Sequence, residues 1–419
     1  MATRRKTEKA WDVIVIGGGP AGMMAAGRAA ERGRLVVVLE KNASLGKKLL
    51  ITGGGRCNLT NNKPDTRTML SHYKGSDQFL FSAFSQFSVK DTIEFFNVRG
   101  MATKEEAEGR VFPVSDKAQS VLDVLVRYMK EGGARVQMNA TVESIAVDAK
   151  TNYIHVCLSD GAEVVGRACV VATGGTSHPE TGSTGEGFSW LEKLGHTAID
   201  NSYALVPVAL KDAWAKKLSG VTLTDIKLTV LQNGKKQGMK KGKVLFTHFG
   251  ISGPMVLNMS KMIGELLEQG DVIIALDLFP KHDHAELKKE LQKLLIRESN
   301  KKIKNTLDAL VPSALVPALL ALAWIDGETA NHSVKKEERV RLVSLLKAVP
   351  LHVKGLLGAD KAIVSSGGIA LEEVDFKTMQ SRVVKNIYIV GDALNIDRPS
   401  GGYSLQICWT TGFVAGSHC

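Results

Sequence analysis

Cysteine is scarce in this chain and follows no pairing pattern. Five of the 419 residues are cysteine: Cys57, Cys157, Cys169, Cys408 and Cys419. The number is odd and no two form a C-x-x-C, which argues against a disulfide framework and a cysteine-ligated zinc centre. A reducing, cytoplasmic setting is the expectation. Aromatic residues are only 6% of the chain, and no basic stripe is interleaved with them. The most apolar long stretch, 310–325, is too short to span a bilayer and contains Pro312 and Pro317, so no membrane partner is expected. The first ten residues are basic but lack the apolar segment of a secretory signal. No Walker lysine motif and no G-x-S-x-G elbow occur, which turns the reading away from P-loop and α/β-hydrolase chemistry.

Glycine, by contrast, is abundant: 41 residues against 11 prolines, without a collagen-like repeat. Glycine at that level points to close approaches of backbone to a ligand. A content of 44% hydrophobic and 23% charged residues is that of a globular protein, and the length allows two or three domains. Basic residues number 54 against 43 acidic, a formal charge of +11, which favours anionic ligands. Lys235, Lys236, Lys240, Lys241 and Lys243 flank a hairpin tip at Asn233-Gly234. Solvated charge is the default reading there and RNA contact the alternative; nucleic acid is not the expected partner.

The first fifty residues carry the strongest signal. Asp12-Val-Ile-Val-Ile16 is a β-branched apolar run, read as a buried parallel strand. It leads directly into Gly17-Gly-Gly-Pro-Ala-Gly22, where Gly17, Gly19 and Gly22 satisfy G-x-G-x-x-G. Helix formers follow from Met23 to Arg32, Gly33 stops the helix, and a second strand from Leu35 ends at Glu40. Each part has a task in dinucleotide binding. Gly17 permits the tight turn, Gly19 lets backbone approach a pyrophosphate, and Gly22 lets helix pack on strand. The helix N-terminus offers free N–H groups to phosphate, Pro20 and Ala21 being expected cofactor contacts there, and Glu40 accepts from a ribose diol.

A second glycine-rich loop, residues 46–61, reads GKKLLITGGGRCNLTN. Residues 134–172 read as a β-meander with a hairpin turn at Asp160-Gly161, ending in Ala172-Thr-Gly-Gly175. A late strand, Ile387 to Val390, runs into Gly391-Asp392. Together these blocks resemble the FAD domain of the glutathione-reductase structural group. Four of them, LGKKLLITGGGRCNLTN (45–61), GRVFPVSDKA (109–118), FTHFGISGP (246–254) and GGYSLQICWTTGFVAG (401–416), resemble the BaiN/aminoacetone-oxidase-like flavoproteins. Three positions depart from that family's pattern: Asp392, where Glu is usual, Asn395, where Asp is usual, and Arg398, where a small residue is common.

The resemblance implies an α/β fold: a Rossmann-like FAD-binding domain, central parallel sheet plus β-meander, split by an insertion. The expected segments are 1–202 and 361–419 for the FAD domain, 203–282 for an inserted β-barrel-like part and 283–360 for an inserted helical part. It implies non-covalent FAD, since the first histidine is His72. The expected cofactor contacts beyond the first motif are Lys41, Lys48, Gly53, Gly54, Arg56, Cys57 and Asn58. Further along the chain they are Val142, Thr173, Gly174, Gly391, Asp392, Gly401, Gly402, Tyr403 and Leu405. The helix from about Leu405 to Val414 is expected to aim its N-terminus at the flavin N1 and C2 carbonyl. The run Gly182–Gly187 opens a further helix, read either as a second N-terminus toward the cofactor or as a plain junction.

Only one cysteine stands where pyridine-nucleotide disulfide reductases carry a redox pair, so Cys57 reads as packing against the cofactor loop. His282-Asp-His284 reads as surface loop, and no metal is expected. Arg110, His248 and Tyr403 are the candidate catalytic residues, with a structural histidine in a tight turn as the other reading of His248. The functional expectation is two-electron transfer through FAD, with NAD(P)H-linked reduction of a small organic substrate or oxidation by oxygen. NAD(P)H would visit transiently, because no second strand–GxGxxG–helix unit is present. A flavin-dependent RNA-modifying protein and a flavin-bound sensor are the alternatives.

Overall fold

The computed structural model describes residues 10–63, 65–73, 75–200, 206–357 and 367–419. The chain divides into two compact units, Met1–Ser202 with Ala362–Cys419, and Tyr203–Lys361. Both junctions, and the basic residues 1–9, lie outside the described residues.

The first unit is built on a seven-stranded sheet. Trp11–Ile16 lies at its centre, parallel to Val36–Glu40 on one side and to Glu163–Val171 on the other. Val13, Ile14 and Val15 are wholly buried, as a strand covered on both faces requires. Val142–Val147, Ile154–Leu158 and Glu163–Val171 form an antiparallel meander. The sequence reading began that meander at 134, but Arg135–Met138 instead pairs in parallel with Val36–Glu40. The last strand, Ile387–Ile389, adds in parallel to the C-terminal half of Glu163–Val171.

The helix Pro20–Glu31 packs directly on the C-terminal helix Tyr403–His418. The contact is backbone to backbone. A Cβ on Gly412 would lie 2.5 Å from the Ala21 carbonyl oxygen, and one on Gly416 2.4 Å from that of Ala25. Alanines and glycines on facing surfaces are what bring the two axes together.

The second unit holds a closed six-stranded barrel in the order Val208–Leu210, Gly250–Ser252, Lys235–Thr247, Thr222–Gln232, Val272–Asp277, Val349–Leu356. Asn233-Gly234 forms its longest hairpin, as their turn propensity requires. The strand Val349–Leu356 falls in the stretch read as helical, so the helices His284–Arg297 and Lys336–Lys347 are bracketed by barrel strands. Barrel residues such as Leu228 and Ile274 share one core with the helical Leu287, Leu319 and Leu342. The spacing of Val340, Val343 and Leu346 suggests one inward face for Lys336–Lys347, but Val340 is 44% exposed and Leu342 is buried beside Val343 and Leu346. Among the described residues no helix is long and apolar enough to cross a membrane.

Gly412→Ala and Gly416→Ala should each destabilise the protein by about 1–3 kcal/mol, because the new methyl meets a carbonyl oxygen that cannot rotate away. Gly355→Ala, with no atom within 4 Å of its Cβ position, should change stability by less than ~0.5 kcal/mol. Thermal and denaturant unfolding of the three variants measures the contrast.

Candidate cofactor site

A cavity of about 560 Å³ is walled by residues of the first unit, a volume in the usual range for bound small molecules. The three motif glycines meet three different demands. Gly17 has φ +104°, and a Cβ there would sit 2.5 Å from the Ala172 carbonyl oxygen. A Cβ on Gly22 would sit 1.9 Å from the Gly17 carbonyl oxygen. These two glycines are required by the protein's own packing. Gly19 is not: its φ is −80°, nothing lies within 4 Å of its Cβ position, and it lines the cavity. The space above it is open to the cavity.

Gly19 is also the N-cap of Pro20–Glu31, and no side chain caps the helix. No capping side chain therefore competes with an anion for the positive end of this helix. Glu40, 7% exposed, stands on the same wall. Its Oε2 accepts from Gly18 N at 2.7 Å. Its Oε1 accepts from Asn42 N at 2.8 Å and Asn42 Nδ2 at 2.7 Å. The carboxylate is thus held in one orientation, with one acceptor site on Oε2 left for a hydroxyl donor.

The segment between Gly174 and the helix Glu186–Lys193 crosses another part of the wall. It is tied down by the residues that follow Glu40. Asn42 Nδ2 donates to Thr181 O at 3.0 Å, and Lys41 donates to Thr184 Oγ1 at 2.8 Å and pairs with Glu186 at 2.9 Å. Elsewhere on the wall Gly401 and Gly402 turn the chain into Tyr403–His418 with φ of +112° and +98°. Asn61 Nδ2 donates to Gly401 O at 3.0 Å. A Cβ on Gly402 would lie 2.4 Å from the Thr60 carbonyl carbon, so this glycine is demanded by backbone packing as well as by its conformation.

The HI0933-like protein Rossmann domain model matches residues 11–418. The chain belongs to the HI0933-like family of FAD-dependent oxidoreductases. It is 32% identical over 406 residues to a 3-dehydro-bile acid delta(4,6)-reductase of Clostridium scindens, covering 96% of this chain and 97% of that one. It is 29% identical over 407 residues to a ribosomal RNA dihydrouridine synthase of Escherichia coli, covering 96% of each. In fold it is similar to 3-ketosteroid delta1-dehydrogenase from Sterolibacterium denitrificans, with a TM-score of 0.56 and 13% identity over 98% of this chain and 99% of that one.

FAD suits the wall of this HI0933-like protein. The open volume over Gly19 and the uncapped helix suit a pyrophosphate, and the oriented Glu40 suits a ribose diol. Pro20, Ala21, Lys41 and Lys48 line the cavity, as do Gly53, Gly54, Asn58, Val142, Thr173 and Gly174. So do Asp392, Gly401, Gly402 and Leu405.

Several expected residues of the HI0933-like protein take other roles. Gly22 and Gly391 do not line the cavity; both serve close packing, Gly391 with φ +65° and a Cβ position 2.9 Å from Ala21 Cβ. Arg56 is among the expected cofactor contacts, but it does not line the cavity: its guanidinium lies 4.2 Å over the Phe112 ring and is neutralised by Glu106 and Asp116. Cys57 is buried at φ +60°, and burial pushes its thiol up to about 12.

The three catalytic candidates are not brought together on this wall. Tyr403 stacks on His72 at 4.9 Å and meets Tyr73 edge-on, its phenol pushed up to about 12 by burial. Arg110 donates to Ala107 O at 3.0 Å. Neither lines the cavity. His248 belongs to the second unit, exposed in the turn before Gly250–Ser252, its ring against Phe249. The sequence reading missed Asn42, Thr181, Ser404 and Cys408, all on the wall. Asn42 follows Glu40 by two positions, and that adjacency was the available signal.

Cys57 should resist alkylation by iodoacetamide in the folded protein at pH 8, because the thiolate is the nucleophile and burial suppresses it. Cys57→Ser should keep flavin reduction within about tenfold of wild type. Rapid labelling of Cys57, or a loss above a hundredfold, would assign it a redox role instead.

Proposed function

We propose that the protein is a reductase that uses non-covalent FAD to deliver a hydride to a carbon–carbon double bond conjugated with a carbonyl, NAD(P)H being the transient donor. One observation carries this reading. Two curated relatives, a delta(4,6)-reductase and a dihydrouridine synthase, are named for very different substrates that share one step, saturation of an activated double bond. Oxidation of an amine by oxygen has no such support.

When bound, FAD supplies two-electron transfer at its N5 position. The chain's own residues bind and orient it. The uncapped first turn after Gly19 takes the phosphate charge, and Glu40 accepts from the ribose. The segment tied by Lys41 and Asn42 would border the adenosine half. The N-terminus of Tyr403–His418, through the backbone at Gly402 and Ser404, favours negative charge beside it.

A second reading, RNA as substrate, is favoured by one feature of the second unit. Lys235, Lys236, Lys240, Lys241 and Lys243 are all exposed along one strand of the long hairpin. If RNA is the substrate, affinity should fall steeply with salt, and a Lys235→Glu/Lys236→Glu variant should weaken binding while leaving bound flavin in place. Salt-independent or absent RNA binding rejects that reading.

The protein should purify yellow and release intact FAD on heating. Gly19→Val should abolish flavin binding without unfolding the chain, since the new side chain meets only the cavity. Anaerobic NADH or NADPH should bleach the flavin, and an enone should restore the colour faster than an amine or oxygen does. Full FAD occupancy in Gly19→Val, or reoxidation by oxygen alone, would contradict the proposal.

A further inference from the structure

Behind the cavity wall lies a buried cation. The Arg398 side chain is 1% exposed and does not itself line the cavity. Its Nη2 pairs with Asp392 Oδ1, its Nη1 donates to Ile396 O at 2.6 Å, and its Nε donates to Ser404 Oγ at 3.1 Å. Ser404 Oγ donates in turn to Asp392 Oδ1 at 3.1 Å. The other carboxylate oxygen, Oδ2, accepts from Lys48 Nζ at 3.3 Å, and Lys48 also donates to Ser177 Oγ at 2.6 Å. Asp392, Lys48 and Ser404 do line the cavity. A row of alternating charge, Arg398, Asp392, Lys48, therefore runs from the interior to the wall.

A carboxylate this buried tends to take up a proton. Burial pushes the Asp392 carboxyl up, but Arg398 and Lys48 outweigh it and hold it below the usual carboxylate range. Among the described residues, the Cys408 thiol and the Tyr73 phenol also face the cluster. The Cys408 thiol is raised by burial and by Asp392, and the Tyr73 phenol is raised by burial against the pull of Arg398. Both are neutral near pH 7, so neither supplies or cancels a charge. The three ionised groups sum to one positive charge, and Lys48 carries it at the wall.

We propose that Arg398 is a positioning residue for the cofactor: it keeps Asp392 ionised and Ser404 in place, so that the wall presents a fixed single positive charge to an anionic dinucleotide. The proposal rests on the reading of the cavity as an FAD site. Without Arg398, ionised Asp392 cancels Lys48 and the wall is neutral. Protonation of Asp392 restores the positive charge. The same charge arithmetic makes the charge of this cluster pH-sensitive in Arg398→Met and fixed in the wild type.

The test compares FAD dissociation constants of wild type, Arg398→Met, Arg398→Lys and the double variant Arg398→Met/Asp392→Asn, between pH 6 and pH 8.5. Each is expressed as a ratio to wild type, so that titration of other wall groups cancels. Arg398→Met should bind about tenfold more weakly at the alkaline end, and the ratio should fall toward one at the acid end. Arg398→Lys should stay near one throughout. The double variant should also be near one and flat, because an amide cannot cancel Lys48. A ratio for Arg398→Met that is independent of pH, or a double variant as weak as the single, overturns the proposal and leaves Arg398 a packing residue.

A second readout does not involve flavin. The melting-temperature deficit of Arg398→Met should shrink as pH falls, because protonation removes the charge of a buried carboxylate left with Lys48 as its one ion-pair partner among the described residues; a constant deficit overturns the proposal. Should the Met variant not fold, Arg398→Gln gives the same two comparisons. Wild-type protein without FAD affinity would refute the cofactor reading, and the melting profile would still decide the coupling of Arg398 to Asp392.

Discussion

The site depends on backbone lying against backbone. Gly17 touches the carbonyl of Ala172, Gly22 the carbonyl of Gly17, Gly412 that of Ala21 and Gly416 that of Ala25. These contacts press the first helix onto the end of the central strand and clamp it from behind with the last helix. A side chain at any of them would lift the helix N-terminus away from the cavity. The N–H groups at that terminus are useful to a ligand only because their position is set by contacts with no rotamer freedom.

Around that fixed point the cavity is lined by charges already placed by partners. Glu40 is oriented by Gly18 and Asn42, Lys41 by Thr184 and Glu186, and Lys48 by Ser177 and Asp392. Groups held in this way cost little to reorganise when a charged ligand arrives, which is the advantage of a preorganised site over one that must assemble. Arg56 illustrates the opposite fate. It sits in the loop that contributes Gly53 and Gly54 to the wall, yet its charge is consumed by Glu106 and Asp116, so it anchors the loop and does not address the ligand.

How much of this was legible in the sequence follows from the range of the interactions. The first strand, the glycine turn, its helix and Glu40 were readable because each is local and each residue's demand is stereochemical. The gap that singles out Gly19 as the ligand-facing glycine appears only in three dimensions, since all three motif glycines look alike as letters. The barrel was harder to bound because its closing strand, Val349–Leu356, comes after the helices, and strand pairing across that distance leaves no local mark. Tyr403 was read as facing the site from its place after two glycines. One residue further on, Ser404 is the one that reaches the wall, a rotation about the helix axis that sequence spacing at a helix start does not resolve. Asp392 and Arg398 stood out as departures from a family pattern, and the structure shows that they are partners.

Fold and family make the protein a FAD-dependent oxidoreductase, while the choice among substrates lies in residues of the site and is a matter for experiment. The central claim is that one cavity of the first unit recognises the whole dinucleotide, with the adenosine half held by Glu40 and the pyrophosphate by the turn at Gly19. Equilibrium titration of apoprotein with FAD, FMN and NAD tests it most directly. The account predicts one FAD per chain, FMN binding weaker by at least about a hundredfold, or roughly 2.7 kcal/mol, and no displacement of FAD by NAD. FMN binding as tightly as FAD, or NAD displacing FAD at comparable concentration, would contradict it.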